Sequence, residues 1–419
     1  MNSYIKTIGD IAEVFDGPHA TPKKTLTGPY FLSISSLENG YLDLTKSAHL
    51  NEEDFKKWTK RVMPKKGDIL FSYETRLGEV ALMPDDIKAC LGRRMGLLRP
   101  NPKLVLSEYL LYAYLSPSFQ QVIKTNTITG ATVNRIALTE LPNFEVRIPP
   151  MEEQRKVSEL LSNLDKKMKL NNQVNSKLEA MAKTLYDYWF VQFDFPDVDG
   201  KPYKSSGGKM VYNETLKREI PEGWDVRPVS EIIEVRDGTH DSPKPSGKGE
   251  YLITSKHLQP SGIDFSNAYF ISYEDFEAVN KRSKVDEGDF LISMIGTIGL
   301  SQWVMKITTP FAIKNIGLFK TSQSPEYADY IFASVTSSYG KAYLQQNQST
   351  GTSQPYVTLG TLRGIPITIP SKKVFDDFNK KVKPIHKLLY ENATENQKLV
   401  ELRDWLLPML MNGQVTVGQ

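Results

Sequence analysis

The chain of 419 residues has few residues suited to cross-linking, metal binding or membrane insertion. Its single cysteine, Cys90, excludes an internal disulfide framework and fits a reducing compartment. The histidines are scattered, without the spacing of metal ligands. No run of about 18 apolar residues is present, and the N-terminus has no apolar core of signal-peptide length. We therefore expect a cytoplasmic protein without a bound metal.

Motifs for common enzymatic chemistries are also missing. The sequence has no GxxxxGK[ST] loop to hold phosphates and no GxGxxG after a strand. It lacks the glycine-rich loop for S-adenosylmethionine and the Asn-Pro-Pro-aromatic motif that an amino-methyltransferase places beside a flipped base. Asp197, Asp199 and Lys201 resemble part of a nuclease motif, but they crowd into one polar segment. These absences predict a non-catalytic chain that needs no cofactor.

The overall composition is that of a folded protein with room for two domains. Hydrophobic residues make up 40% of the chain and charged residues 24%, and the net charge of +3 does not by itself indicate nucleic acid. Positive charge is instead concentrated locally, at Lys23 and Lys24, at Lys56, Lys57, Lys60, Arg61, Lys65 and Lys66, at Arg93 and Arg94, and at Lys281, Arg282 and Lys284. Taken singly, each cluster is more often a solvated face.

The most informative feature is an internal repeat with an offset of 221 residues. IGDIAEVFDGPHATPKK, which begins at Ile8, matches VSEIIEVRDGTHDSPKP, which begins at Val229. The same offset relates Lys60 with Lys281, Arg61 with Arg282, Gly67 with Gly288, Gly96 with Gly317, Tyr109 with Tyr330 and Pro149 with Pro370. The sequence is therefore a tandem duplication with one copy in each half.

Both copies end in a segment with the heptad spacing of a coiled-coil seam. The seam residues of the first copy are Val157, Leu161, Leu164, Met168, Asn171, Asn175, Leu178, Ala182, Leu185 and Trp189. Those of the second are Phe378, Val382, Ile385, Leu389, Asn392, Asn396, Leu399, Arg403, Leu406 and Leu410. We expect two long helices that form an antiparallel coiled coil.

Two seam asparagines interrupt each helix at equivalent positions. In an antiparallel pair Asn171 meets Asn396 and Asn175 meets Asn392. Buried asparagines lower stability but fix the register of the helices. The alternative is that these residues lie on a solvated face.

The regions before the helices have signals of mixed structure. Strands are predicted at residues 68–73, 96–98, 144–148, 289–294 and 317–319, and a helix at residues 107–115. Residues 193–224 are polar and poor in periodicity, which predicts a connector. The fold class is therefore α+β, with two duplicated globular domains joined by two long helices.

Differences between the copies indicate ligand-binding residues, because shared positions serve the common fold. The copies differ most in residues 73–95 against 294–316 and in residues 131–135 against 352–356. Arginine and lysine suit guanine, whereas asparagine and glutamine suit adenine. The candidates for reading base edges are Arg76, Arg93, Arg94, Asn134 and Arg135 in the first copy and Lys256, Lys314, Asn315, Gln354 and Tyr356 in the second. For any single residue, a solvated surface position is the simpler alternative.

Equivalent proline-containing loops supply a second group of candidates. Their basic side chains suit phosphate contacts, which position a protein on DNA without specifying sequence. These residues are His19, Lys23, Lys24, His240 and Lys244.

Several strings resemble those of the specificity subunits of type I restriction-modification systems. They are IPPMEEQRKV at residues 148–157, DYWFVQFDFP at 187–196, DGKPYKSSGGKM at 199–210, EIPEGWDV at 219–226 and the paired DGPH and DGTH loops. The resemblance covers essentially the whole chain. The second helix entry, IPSKKVFDDF at 369–378, departs from the first by lacking the second proline and the glutamate pair.

The resemblance implies a non-catalytic subunit that binds double-stranded DNA. Each globular domain would be a target-recognition domain that reads one half of a bipartite, asymmetric target. The helices would dock two modification subunits, which bind S-adenosylmethionine and methylate adenine N6, and through them the ATP-dependent restriction subunits. The expected boundaries are 1–150 for the first recognition domain, 151–192 for the central helix, 193–224 for the connector, 225–370 for the second recognition domain and 371–412 for the C-terminal helix.

Two alternatives from other classes stay open. A self-contained DNA methyltransferase would bind S-adenosylmethionine directly, which a titration would reveal. A duplicated scaffold for protein or glycan ligands would not retard duplex DNA in a salt-dependent manner.

Overall fold

The computed structural model describes residues 4–130, 133–259, 262–349 and 354–418. It divides into two compact units. Unit 1 comprises Met1–Lys169 and Asn396–Gln419, and unit 2 comprises Leu170–Glu395. Each unit therefore combines a globular region with segments of two long helices.

The globular region of unit 1 is a mixture of short strands and helices. The strands are β1 (Ile5–Thr7), β2 (Ala12–Asp16), β3 (Thr25–Phe31), β4 (Leu37–Glu38), β5 (Tyr41–Leu42), β6 (Ala48–His49), β7 (Ile69–Ser72), β8 (Val80–Leu82), β9 (Ala89–Cys90), β10 (Met95–Pro100), β11 (Thr127–Ile128), β12 (Arg135–Ile136) and β13 (Glu145–Arg147). The helices are α1 (Ile8–Ile11), α2 (Glu52–Trp58), α3 (Ser107–Leu115) and α4 (Pro117–Thr125), followed by the long α5 (Met151–Tyr186). The main sheet has the order β2-β10-β7-β8, and a second sheet has the order β6-β3-β9.

Unit 2 repeats this arrangement. Its strands are β14 (Met210–Asn213), β15 (Arg218–Pro221), β16 (Asp225–Pro228), β17 (Val235–Asp237), β18 (Glu250–Thr254), β19 (Leu258–Gln259), β20 (Gly262–Ile263), β21 (Tyr269–Ile271), β22 (Asp289–Ser293), β23 (Ser301–Val304), β24 (Phe311–Lys314), β25 (Ile316–Phe319) and β26 (Pro366–Ile369). Its helices are α6 (Tyr273–Ser283), α7 (Pro325–Thr336), α8 (Ser338–Gln346), α9 (Leu359–Arg363) and the long α10 (Lys372–Met411). The sheet orders β17-β25-β22-β23 and β21-β18-β24 match those of unit 1. The predicted duplication and the α+β class are therefore confirmed.

The central strand β7 is buried along its whole length because it separates two cores. Ile69 and Phe71 belong to the cluster that contains Tyr109 of α3. Leu70 belongs to a different cluster, with Leu97 of β10. Successive side chains of a strand point to opposite faces, so a continuous apolar run serves both cores. The same division holds in unit 2, where the residues of β22 alternate between two clusters.

Helices at equivalent positions begin with equivalent caps. The side-chain oxygen of Asn51 accepts a hydrogen bond from Asp54 N at 2.8 Å at the start of α2. At the start of α6, Ser272 Oγ accepts one from Asp275 N at 3.1 Å. Both satisfy an N–H group that lacks a partner within the helix. The caps differ in residue type but preserve the helix start in both copies.

A buried aspartate forms an ion pair with a lysine or an arginine in each unit. In unit 2, the Lys320 ammonium contacts Asp289 Oδ2 at 2.5 Å and Asp286 Oδ2 at 2.7 Å, and both Lys320 and Asp289 are almost fully buried. The equivalent pair in unit 1 is Arg99 and Asp68, with bonds of 2.7 and 3.0 Å. Removing one partner of such a pair leaves an uncompensated charge in the interior.

The helix entry motif is held to the first globular region by a buried glutamine. Gln154 donates hydrogen bonds to Leu104 O at 3.1 Å and Pro149 O at 2.8 Å, and it accepts one from Leu106 N at 2.9 Å. Its side chain satisfies backbone groups that would otherwise be buried without partners. This places the start of α5 against the segment that leads into α3.

Within unit 2, α5 and α10 are joined by hydrogen bonds from the seam asparagines. Asn392 Nδ2 donates to Asn175 Oδ1 at 2.8 Å, and Asn175 Nδ2 donates to Leu389 O at 3.3 Å. Asn171 Nδ2 donates to Glu395 Oε2 at 2.8 Å. Residue numbers rise along α5 as they fall along α10, so these segments are antiparallel. The expected contact between Asn175 and Asn392 is present.

Within unit 1, the other ends of the two helices also pack together. Leu161 of α5 and Leu406 of α10 contribute to the same apolar cluster. Arg403 Nη1 lies 3.3 Å from Asp165 Oδ1. In the described part of the chain, no helix is both long enough and apolar enough to cross a membrane.

The segment expected to be a polar connector has more structure than its composition indicates. It contains the hairpin formed by β14 and β15. Phe193, Phe195 and Trp224 are buried in the core of unit 2. Phe195 stacks between Tyr203 and Trp224, with ring centroids at 4.7 and 4.9 Å. The segment is poor in periodicity because its anchors are a few irregularly spaced aromatic residues.

The ion pairs of the buried aspartates can be tested by their effect on stability. The Asp289→Ala substitution is expected to lower the free energy of unfolding by about 3–5 kcal/mol, because the buried Lys320 would keep only the half-exposed Asp286 carboxylate and the carbonyl oxygen of Lys284. The matched control is Asp68→Ala, which should cost less because the Arg99 side chain is 24% exposed. Denaturant unfolding of the full chain measures both, and equal losses would contradict this account.

Candidate functional site

The adjacent strands of the unit 1 sheet end at one edge, where they form a cleft. Gly96 of β10 pairs with Asp16 at the end of β2, and Met95 pairs with Ser72 at the end of β7. The cleft has a volume of about 350 Å³ and is lined by His19, Tyr73, Glu74, Arg93, Arg94, Ile128, Arg135, Ile136, Ala137 and Leu138. Ile136 N donates to Tyr73 O at 2.9 Å and closes one wall.

Unit 2 has a cleft at the equivalent place. Its volume is about 680 Å³, and it is lined by Asp237, His240, Met294, Ile295, Asn315, Gln354, Tyr356, Val357, Thr358, Leu359 and Gly360. Val357 N donates to Met294 O at 2.9 Å, which repeats the wall contact of unit 1 at an offset of 221 residues. Glu74 forms a β-bridge with Arg135, and Ile295 forms the equivalent bridge with Tyr356. The two clefts therefore share one backbone frame.

An aspartate at the edge of each cleft holds a histidine and an arginine. In unit 1, Asp16 Oδ2 lies 2.9 Å from His19 Nε2 and 3.5 Å from Arg61 Nη1. The histidine and arginine side chains are 73% and 65% exposed. The exposed imidazole and guanidinium are thus held side by side by one carboxylate. Lys57 and Lys60 line an adjoining cleft that shares His19.

The same three residue types meet in unit 2. Asp237 Oδ2 lies 2.9 Å from His240 Nε2, and Asp237 Oδ1 contacts Arg282 Nη2. Asp237 is buried, whereas the His240 and Arg282 side chains are more than half exposed. The DGPH and DGTH strings thus have a structural reason for their aspartate and histidine.

The glycine of these strings allows two backbones to approach closely. A Cβ atom on Gly17 would lie 2.5 Å from Met95 O, and one on Gly238 would lie 2.4 Å from Ile313 O. Real Cβ atoms do not approach backbone oxygens so closely, so any side chain would push the loop outward. The glycine thus keeps the histidine loop close to Met95 at the start of β10 in unit 1 and to Ile313 of β24 in unit 2.

One cleft residue in each unit has a left-handed backbone. The φ angle is +67° at Arg94 and +52° at the equivalent Asn315. This conformation is uncommon outside glycine, although asparagine tolerates it. Arg94 Nε forms an ion pair with Glu74, whereas Asn315 Oδ1 lies 2.9 Å from His240 Nδ1. The scaffold therefore imposes one backbone conformation and leaves the side chain free to differ.

Burial and charge also affect the tyrosine on the wall of the first cleft. Desolvation, together with the neighbouring Asp16 carboxylate, raises the pKa of Tyr73 above its ordinary value. The phenol therefore keeps its proton at neutral pH. Met294 occupies the equivalent position in unit 2 and has no such group.

The structure brings together eight of the residues predicted from the sequence. His19, Arg93, Arg94 and Arg135 line the cleft of unit 1, and His240, Asn315, Gln354 and Tyr356 line that of unit 2. The other predicted residues are not among the lining residues of these clefts: Lys23, Lys24, Arg76, Asn134, Lys244, Lys256 and Lys314. Within the divergent segments, residues 131, 132, 352 and 353 lie outside the described residues.

Several of the separated residues have other contacts. The Arg76 guanidinium pairs with Glu79 at 2.8 Å, and Lys314 Nζ contacts Ser242 Oγ. Lys23 and Lys244 are exposed on their loops. These side chains do not line either cleft.

Sequence reasoning missed residues that complete the clefts. Asp16, Asp237 and Glu74 were not among the candidates, and the two arginines at 61 and 282 were considered only as parts of charged clusters. The repeat could have identified the aspartates and the arginines, because Asp16 and Arg61 have identical counterparts, Asp237 and Arg282, 221 residues later. What the sequence lacked was evidence that the aspartate and the arginine meet in space.

Comparison with known proteins identifies the family of this duplicated fold. The model of the type I restriction modification DNA specificity domain matches residues 2–180 and 221–403. The chain therefore belongs to the type I restriction-modification specificity family, and the resemblance noted from its motifs is confirmed.

Individual relatives support this assignment over most of their length. The chain is 24% identical over 432 aligned residues to the type I restriction enzyme MjaIX specificity subunit of Methanocaldococcus jannaschii, covering 99% of this chain and 94% of the relative. It is 26% identical to the HindI specificity subunit of Haemophilus influenzae, covering 84% and 87%. The fold is similar to that of the type I restriction-modification S subunit from M. genitalium, with a TM-score of 0.56 at 16% identity and coverage of 98% and 97%.

The close backbone approach at the histidine loop can be tested without a ligand. The Gly238→Ala substitution is expected to lower the free energy of unfolding by about 1–3 kcal/mol, because the added methyl group would overlap Ile313 O. Gly247→Ala is the control, since a Cβ atom there meets nothing within 4 Å. Thermal unfolding of the two variants measures the difference, and similar losses would argue against a tight approach.

Proposed function

We propose that the chain is the non-catalytic DNA-recognition subunit of a type I restriction-modification complex, and that each unit reads one half of a bipartite, asymmetric target. The observation that carries the proposal is the pair of equivalent clefts. They share a backbone frame and an Asp-His-Arg group but present different side chains. A common frame with different side chains is suited to docking two units on one type of polymer and reading different sequences.

The Asp-His-Arg groups supply the contacts that do not depend on sequence. His19 with Arg61 in unit 1, and Arg282 beside His240 in unit 2, would contact the phosphate backbone next to a cleft. The exposed Lys23, Lys24 and Lys244 extend this basic edge. Such contacts release counterions, so binding would weaken as salt rises. Residues inside the clefts would then contact base edges.

The two long helices would set the distance between the half-sites. α5 has 36 residues, and at roughly 1.5 Å per residue it spans about 54 Å. One turn of duplex covers about 34–36 Å, so the helix is long enough to separate two domains by a full turn. We propose that α5 and α10 form a coiled coil whose register is fixed by Asn175 with Asn392 and by Asn171 with Asn396.

Exposed apolar residues on each helix would form a docking surface for one modification subunit. Met181 of α5 is 58% exposed, and Leu402, at the equivalent position of α10, is 42% exposed. Leu170 and Val174 extend the first surface, and Trp405 extends the second. The modification subunits would supply the S-adenosylmethionine site and would connect the chain to the restriction subunits. The complex would act in the cytoplasm.

The spacer role of the helices is tested by shortening them. Deletion of one heptad from each helix removes about 10 Å, which corresponds to about three base pairs. Mapping of methylated adenines in cells that carry the variant should show a shorter unspecified spacer between unchanged half-sites. A changed half-site with an unchanged spacer would contradict the proposal.

The docking role is tested by placing charge on one surface at a time. Met181→Glu and Leu402→Glu are each expected to reduce the complex from two modification subunits to one, because a carboxylate would be buried against an apolar partner. Native mass spectrometry of the reconstituted complex measures the stoichiometry. Lys169→Glu, at an exposed position on another side of α5, should retain both subunits. Loss of neither subunit from the first two variants would place docking elsewhere.

A further inference from the structure

The two clefts differ in charge at equivalent positions. Position 74 is glutamate in unit 1, and the equivalent position 295 is isoleucine in unit 2. The left-handed position holds Arg94 in the first cleft and Asn315 in the second. Position 135 is arginine, whereas position 356 is tyrosine. Each change replaces a charged side chain of unit 1 by a neutral one in unit 2.

We propose that the cleft of unit 1 reads a half-site that contains G·C pairs, and that the cleft of unit 2 reads A·T pairs. The residues that decide this are Glu74 and Arg94 in unit 1 and Ile295 and Asn315 in unit 2. The inference rests on the proposed DNA-recognition function and extends it to the bases that each half of the target contains.

The chemistry of the first cleft matches the edge of a G·C pair. Guanine presents two acceptors, O6 and N7, to the major groove, and an arginine fork contacts both. Arg93, Arg94 and Arg135 all line this cleft. Cytosine presents an amino donor, for which a carboxylate is the matching acceptor. The Glu74 carboxylate also positions Arg94 through their ion pair.

The chemistry of the second cleft matches the edge of an A·T pair. Adenine presents an acceptor and an amino donor side by side, which the amide of asparagine contacts through both of its atoms. Asn315 is positioned for this by His240, whose Nδ1 lies 2.9 Å from its side-chain oxygen. Thymine presents a methyl group, and Ile295 offers an apolar contact. The described residues that line this cleft include no lysine or arginine.

The lysines predicted from sequence for unit 2 do not change this assignment. Lys314 extends toward Ser242 and contacts its hydroxyl group. Lys256 is exposed and is not among the residues that line the cleft. Neither lysine is among the residues that line the cleft, so neither enters the assignment of bases.

The shared frame allows the two sets of side chains to be exchanged. Asparagine is compatible with the left-handed backbone at position 94, and the equivalent backbone at position 315 already has the conformation that arginine adopts in unit 1. The experiment compares the full wild-type chain with a unit 1 variant, Glu74→Ile with Arg94→Asn, and a unit 2 variant, Ile295→Glu with Asn315→Arg. Each chain is reconstituted with its modification subunits. Duplexes selected from a random library are then sequenced.

The wild-type complex should select one half-site with G·C pairs and one with A·T pairs. The unit 1 variant should lose about 5- to 150-fold preference for the guanine position in the first half-site, without a change in the second. The unit 2 variant should lose its preference for the adenine position in the second half-site, without a change in the first. If a double variant does not fold, Arg135→Ala removes an exposed side chain and should relax the first half-site alone.

The outcomes separate the inference from the function on which it rests. If the wild-type complex enriches no bipartite sequence, the proposed function fails. If it enriches a bipartite sequence whose halves do not differ in base composition as described, the assignment of the clefts is wrong. The same holds if the substitutions leave both halves unchanged or change both together.

Discussion

The clefts depend on a backbone hydrogen bond between the end of a central strand and a distant segment. It joins Ile136 N to Tyr73 O in unit 1 and Val357 N to Met294 O in unit 2, at 2.9 Å in both. Because main-chain atoms make this contact, it is indifferent to side-chain identity. The positions next to it can therefore change from charged to neutral without loss of the cleft. The backbone frame of each cleft is therefore independent of the side chains that line it.

The duplication made much of the fold predictable from the sequence. A constant offset relates the central strands β7 and β22, and it also identifies which residues are equivalent. The heptad pattern predicted the antiparallel contact of Asn175 with Asn392. These features could be predicted because local periodicity and the comparison of two copies need only the order of residues along the chain.

The assembly of the clefts could not be predicted in the same way. Glu74 meets Arg135 across about 60 residues, and Asp16 meets Arg61, which lies in the loop after α2. Such contacts follow from strand pairing rather than from any local pattern. The core role of Phe195 and Trp224 was hidden for a related reason, since isolated aromatic residues in a polar segment give no periodic signal. In the sequence, a single charged residue can belong to a binding site or to a solvated surface. Only its position in the fold shows whether it lines a cleft.

The seam asparagines connect the stability of the helices to the proposed measurement of distance. A pair of leucines in place of Asn175 and Asn392 would pack more favourably, so the polar pair costs stability. A purely apolar seam, however, permits neighbouring registers of similar energy, and a slip of one heptad moves one helix by about 10 Å along the other. On a duplex that shift equals about three base pairs, which would place one unit on the wrong bases. A slip of one heptad separates Asn175 from Asn392 and breaks their hydrogen bond. In the proposed function, the polar interruption is therefore the element through which helix packing would determine the length of the spacer.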